Sequence, residues 1–157
     1  MGNLNAIGLD NVKANELAEK LNDLLANYSV FYQNVRGYHW NIKGEKFFEL
    51  HVKFEELYTD LIVKIDDVAE RILTLGKTPN HKYSDYIKVS EIKESNEGRD
   101  GIKAVNQILD AFKTIIIKQR DILKLSGDIG DEGTNALMSD NIRAQEKLVW
   151  MYSSFLN

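Results

Sequence analysis

The chain has 157 residues, 43% of them apolar and 28% charged, with 20 Lys and Arg against 24 Asp and Glu for a net charge of −4. That composition excludes a disordered chain, and the absence of cysteine excludes disulfides, thiolate metal sites and a cysteine nucleophile. The acidic balance argues against a dedicated nucleic-acid binder, and no apolar run reaches the roughly 18 residues needed to cross a membrane. The length suits one domain over residues 1–157 that buries its own core. The opening MGNLNAIGLDN has neither a basic nor an apolar leader segment, so the expected compartment is the cytoplasm.

Pro79 is the only proline, and four windows are nearly free of helix breakers: 9–36, 45–75, 102–126 and 134–157. The first carries Leu17, Leu21, Leu24, Tyr28, Phe31, Val35 and, just beyond its edge, Tyr38 at helical period. A few residues around Asn41 to Gly44 join it to the second, which reads Phe47, Leu50, Phe54, Leu57, Leu61, Ile65, Val68, Ile72 and Leu75. Gly76 followed by Pro79 is a helix stop, because glycine takes the left-handed cap and proline cannot continue. The connection over 77–96 is too long to lack structure, and a short helix is expected over Ser84–Val89. The third window repeats the helical pattern from Ile102 to Leu123, and Gly127, Gly130 and Gly133 mark a loop before the fourth. The fold class is all-α. The expected architecture is a four-helix bundle whose second and third helices run parallel, with a short helix in the crossover between them.

The chain has three histidines. His81 lies in the polar stretch TPNHKYSD and reads as a surface residue. His51 and Glu55 stand four apart on the second helix, as do Asp66 and Glu70 further along, so each pair shares a face. The fifteen residues from His51 to Asp66 turn through about 1500°, leaving about 60°, so all four project from one sector. Any one of them alone would read as part of a solvated flank. Glu56 and Asp67 read that way, with Arg71 four residues on as a surface partner for Asp67. Imidazole and carboxylates together suit iron, manganese or zinc. Fifteen helical residues span about 22 Å, whereas metal–ligand bonds are about 2 Å, so His51 and Asp66 of one chain cannot share an ion. Two copies of the helix crossing antiparallel at a twofold axis would bring the halves together, twice over.

The run His39-Trp40-Asn41-Ile42-Lys43-Gly44, with Leu50-His51 and Glu55 after it, resembles the first signature of the Dps family, the mini-ferritins. Ile65-Asp66-Asp67-Val68-Ala69-Glu70-Arg71, then Leu75-Gly76 and Pro79, resembles the second. Both match without a gap, and the resemblance covers essentially the whole chain. It implies a ferritin-like bundle that assembles through twofold dimers into a hollow dodecamer. It implies a dinuclear ferroxidase centre with His39, His51 and Glu55 from one subunit and Asp66 and Glu70 from the other. Many members have aspartate where this chain has Glu55. Trp40 reads as core packing, to which the resemblance adds a redox role near the metal; Tyr38 and Tyr58 read as packing.

The activity so implied is ferroxidase: ferrous iron is oxidised, with hydrogen peroxide favoured over dioxygen, and ferric mineral is stored in the shell. The resemblance also implies acid-lined threefold pores on the last helix. Glu146 matches one pore position, Ala136 stands at the other, and Asp140 is a substitute. A competing class is a DNA-condensing shell with little dependence on the metal site. Family members that bind DNA usually carry a Lys/Arg-rich tail. Residues 1–12 contain no Lys or Arg, and Phe155-Leu156-Asn157 carries no basic extension, so no appreciable DNA binding is expected. The densest basic group, Lys113, Lys118, Arg120 and Lys124, is interrupted by Asp121 and adjoins Asp110.

Overall fold

The computed structural model describes residues 3–157. Five helices follow in order: α1 (Asn11–Asn41), α2 (Phe47–Thr74), α3 (Tyr83–Val89), α4 (Gly101–Asp128) and α5 (Glu132–Leu156). Among the described residues no strand occurs, only an isolated bridge between Leu4 and Asp10. The four long helices form the bundle, and α3 lies in the crossover against α1.

Side-chain partners give the helix directions. Going up α1, Lys20 meets Asp121, Phe31 meets Phe112 and Tyr38 meets Gln107, so α1 and α4 are antiparallel. The short 42–46 connection sends α2 back along α1, and α2 therefore runs parallel to α4. The crossover must then travel the length of the bundle. Three asparagines on α1 hold it. Asn22 donates to the Thr78 carbonyl and accepts from the Asn80 N–H. Buried Asn27 accepts from the Ser90 hydroxyl and from the N–H groups of Glu91 and Ile92. Asn34 donates to the Lys93 carbonyl and accepts from the Ser95 N–H. Irregular backbone lying against a core needs such partners, because its own peptide groups cannot satisfy one another.

Helix ends follow local chemistry. Asp10, Asp100 and Asp131 cap α1, α4 and α5 by accepting backbone N–H groups of the first turn. At the end of α2, Gly76 has φ 84°, its N–H donates to Leu73 and the Lys77 N–H reaches back to Ile72. The same pair of bonds closes α4 around Gly130, from Gly130 to Gly127 and from Asp131 to Ser126.

The first helix runs through Gly37 to Asn41, as the expected join at Asn41 to Gly44 implies, with Tyr38 and His39 buried on the same face as Val35. Two expectations are corrected. Gly127 and Gly133 are helical rather than loop; only Gly130 needs the left-handed conformation, at φ 77°. Arg71 does not pair with Asp67. It bonds to buried Asp131 at 2.7 Å and to the Thr134 hydroxyl at 2.8 Å, tying α2 to the start of α5.

The interior is apolar from Leu17 to Tyr38 on α1, Leu50 to Leu75 on α2 and Ala104 to Ile122 on α4. One closed polar ring interrupts it. The Tyr28 hydroxyl donates to Gln145, the Gln145 amide to Gln119, and the Gln119 amide back to Tyr28. Burial pushes the Tyr28 pKa far above its ordinary value, so the phenol keeps the proton this ring requires.

Candidate metal centre

His39 lies in the last turn of α1 and His51 in the second turn of α2, on either side of the 42–46 connection. The last carbonyls of a helix have no partner within it. The His39 carbonyl is one of these, and it accepts a 2.7 Å hydrogen bond from His51 Nδ1. In return, His39 Nδ1 donates to the His51 carbonyl at 2.6 Å. A carbonyl can only accept, so each Nδ1 carries the proton. In the neutral rings each Nε2 therefore keeps its lone pair for a metal ion. The two imidazoles stack at 3.8 Å with planes 13° apart, and Phe47 lies on the other face of His51 at 4.9 Å and 18°. The Tyr58 ring meets His39 edge-on at 5.3 Å. Tyr38 is buried and donates to Gln107, so both tyrosines pack as expected.

Glu55 Oε1 lies 3.6 Å from His39 Nε2, too long for a hydrogen bond. Two ligands of one ion, each at about 2 Å, sit about 3 Å apart, so this spacing suits two bases facing one cation. His39 is buried, His51 half-buried and Glu55 exposed. The structure thus sets His39 against both His51 and Glu55. Asp66 and Glu70 lie exposed further along α2, about 22 Å and about 28 Å from His51 by helix rise. Among the described residues no three His, Asp or Glu side chains converge as an ion would require.

The remaining sequence candidates fall as follows. Trp40 is not core: its ring is 57% exposed and stacks with the Arg36 guanidinium at 4.8 Å. The reason is helical phase, since Tyr38 and His39 take the buried face at the end of α1. His81 is exposed, as expected. Glu146 pairs with Arg120 at 2.7 Å and Asp140 with Arg143 at 3.3 Å. Sequence reasoning missed Phe47 as a neighbour of His51, although the i, i+4 spacing was there to be read.

The outward sector of α2 adds a further feature. Phe48, Val52, Ile62, Val63 and Leu73 are all exposed, with Val52 and Val63 more than half so. They fall within the same sector of about 120° as Glu55, Asp66 and Glu70. Trp40, Ile62 and Ile65 also share one open groove with Tyr83 and Ile87 from the crossover.

A ferritin-like domain model matches residues 18–157. The DNA protection during starvation protein of Porphyromonas gingivalis is 43% identical, covering 97% of this chain and 96% of that one. The DNA protection during starvation protein 2 of Bacillus anthracis is 34% identical, covering 90% and 97%. The chain belongs to the Dps family. The crystal structure of the Dps protein of Vibrio cholerae O1 superposes with a TM-score of 0.98 at 56% identity, covering 100% of this chain and 99% of that one. That protein is described as a member of a broad superfamily of ferritin-like diiron-carboxylate proteins. The Dps of Bacillus brevis superposes with a TM-score of 0.89 at 32% identity, covering 93% and 98%.

Proposed function

We propose that the chain, acting as one domain over residues 1–157, oxidises ferrous iron at dinuclear sites shared between two copies. The ferric product is stored as mineral in a hollow shell of twelve copies in the cytoplasm. Iron storage and protection fit the Dps relatives, and the diiron-carboxylate description of the Vibrio cholerae protein supports iron as the metal. One observation carries the shared site: the donor set is split over about 22 Å along a single exposed face of α2 that also bears uncovered apolar side chains. A second copy of α2, crossing antiparallel on that face, buries Val52, Ile62 and Val63. It also sets Asp66 and Glu70 of one chain against His39, His51 and Glu55 of the other, at two equivalent places.

The chemistry follows from the donors. Neutral Nε2 atoms and carboxylate oxygens accept ferrous iron, and the harder ferric ion gains more from the carboxylates, so the site favours oxidation. Two ferrous ions supply the two electrons that break the O–O bond of one hydrogen peroxide. With two protons taken up, the products are two waters and two ferric ions, and no hydroxyl radical is released. Peroxide is the favoured oxidant and dioxygen the second. Trp40, next to His39 in sequence and facing the same groove as Ile62 and Ile65, supplies an electron when only one ferrous ion is bound.

The test is complementation. His51→Ala and Asp66→Ala each abolish fast ferrous oxidation, followed by ferric absorbance after anaerobic loading and peroxide addition. In a mixed dimer of the two variants, one site lacks both ligands and the other is intact, so hybrids recover up to half the activity. No recovery in hybrids verified by native mass spectrometry overturns the shared site.

A further inference from the structure

His51 is held between two flat rings, and only one of them belongs to the donor set above. On one face lies His39; on the other lies Phe47, at 4.9 Å and 18° from parallel. Phe47 is the first residue of α2, and its aim is set by the turn before it. The Phe47 N–H donates to the Gly44 carbonyl at 3.1 Å, with Gly44 at φ 111°, a conformation that glycine enters at no steric cost. Phe48 meets Phe47 edge-on at 5.3 Å, and the Phe47 ring is half-buried against the core. The ring therefore rests against the core and offers His51 a flat wall.

An imidazole on a helix surface has a soft, roughly two-fold χ2 torsion. A half-turn about it exchanges the positions of Nδ1 and Cδ2 and carries Nε2 to the place of Cε1. In that flipped state the His39 carbonyl loses its donor and the lone pair of Nε2 points elsewhere. The 2.7 Å bond from Nδ1 to the His39 carbonyl selects one state, but a half-buried ring with one open face gives water a route to compete for that bond. Phe47 closes that face.

We propose that Phe47 is a positioning residue: its ring, stacked on His51, holds the imidazole in the single orientation that keeps Nδ1 on the His39 carbonyl and Nε2 free for the metal ion. The use made of Nε2 rests on the ferroxidase reading above; the clamp itself is a property of the metal-free chain. Phe47 does not touch the ion and acts only through His51. Second-layer groups that orient a ligating histidine typically change metal affinity by about 10–100-fold, and an apolar ring without a hydrogen bond belongs at the lower end.

The experiment compares the full chain with Phe47→Leu, which keeps most of the volume but no flat face, and Phe47→Tyr, which keeps the flat face. Solid-state NMR of sedimented, [15N]histidine-labelled, metal-free protein at about pH 8, where a free imidazole is neutral, reads the His51 ring nitrogens at any particle size. Zinc titration by calorimetry reads the site without turnover, with His51→Ala as the reference for loss of the ligand. The expected result is one sharp pair of His51 signals in the wild type and Phe47→Tyr, and a doubled or averaged set in Phe47→Leu. Zinc affinity should fall about tenfold in Phe47→Leu alone. Unchanged His51 signals and unchanged zinc affinity in Phe47→Leu overturn the clamp while leaving the ferroxidase reading intact. If zinc binding in the wild type is indifferent to His51→Ala while Phe47→Leu still scrambles the ring signals, the metal reading fails and the clamp stands. Should Phe47→Leu not fold, a scrambled ring in Phe47→Met supports the clamp and an ordered one overturns it.

Discussion

At the residue scale, a few polar side chains decide what the apolar pattern leaves open. Asn27 is fully buried, and its one carbonyl oxygen accepts three hydrogen bonds from Ser90, Glu91 and Ile92. Asn27→Ala leaves the part-buried N–H groups of Glu91 and Ile92 without their acceptor and the Ser90 hydroxyl with only the Ile92 carbonyl, which costs more than the net worth of the bonds themselves. The expected loss is about 3 kcal/mol of unfolding free energy, read from urea titration. A loss below about 0.5 kcal/mol, the ordinary range for a surface change, would show that the crossover is held elsewhere. In the sequence Asn27 looks like any polar residue on an amphipathic helix, because its partners are sixty residues away and irregular. The histidines divide in the same way. The positions of His51, Glu55, Asp66 and Glu70 along α2 followed from spacing alone, and so did the impossibility of one chain holding them on one ion. The exchange of Nδ1–carbonyl bonds between His39 and His51 did not. It depends on how a helix end meets a helix start, which periodicity does not encode.

At the scale of elements, glycine is where sequence reasoning misread the chain. Gly127, Gly130 and Gly133 look like one loop, yet only Gly130 has positive φ. Gly133 is the second residue of α5 and is small for a different reason. A Cβ built there would lie 2.7 Å from one Arg71 guanidinium nitrogen and 2.8 Å from the other. That guanidinium is engaged with Asp131 and Thr134, and Asp131 is 2% exposed. Gly133→Ala therefore pushes Arg71 off its partners rather than merely altering helix propensity, which alone would favour alanine. Breaking a buried pair is costly because the remaining charge is left without a partner. The expected outcome is a destabilisation of about 2 kcal/mol, and of less in an Arg71→Met background, where no guanidinium is displaced. Stabilisation of the single variant would mean that Arg71 swings aside freely and that α2 and α5 are joined by apolar packing alone. The lengths, order and directions of the helices were legible because they rest on many residues at one period. The roles of Gly127 and Gly133 were not, because a residue without a side chain gives no hint whether it permits a turn or makes room for a neighbour.

At the scale of the molecule, the distribution of charge bears on whether the proposed shell binds DNA. Nonspecific affinity for the duplex comes mainly from cations that displace its counterions. The net charge of −4 per chain gives a particle of roughly −50 if twelve copies assemble, so only a local basic surface would overcome the repulsion. The densest basic stretch lies on α4, and most of it is engaged within the chain. Lys118 bridges Asp23 at 2.7 Å and Glu91 at 2.9 Å, Arg120 pairs with Glu146 at 2.7 Å, and Lys124 faces Asp128 at 3.5 Å. Lys20 on α1 is paired with Asp121 at 2.7 Å. Such exposed pairs add little stability, but each puts a carboxylate where a phosphate would have to approach. Residues 3–12 add no cation either. Residues 3–10 form a hook in which Asn5 Oδ1 accepts from the N–H groups of Ile7 and Leu9, and the Asn11 N–H bonds to the Asn3 carbonyl. No lysine or arginine occurs before Lys13. The expected result is no retardation of plasmid DNA at neutral pH with chelator and about 0.15 M salt. Replacing Asp23, Glu91 and Glu146 together by their amides should then expose the α4 cations and produce a retarded band that disappears as salt is raised. A shift by the wild type at micromolar protein under the first conditions would show that the intrachain pairs open for phosphate, and would put the DNA-condensing shell ahead of the iron store.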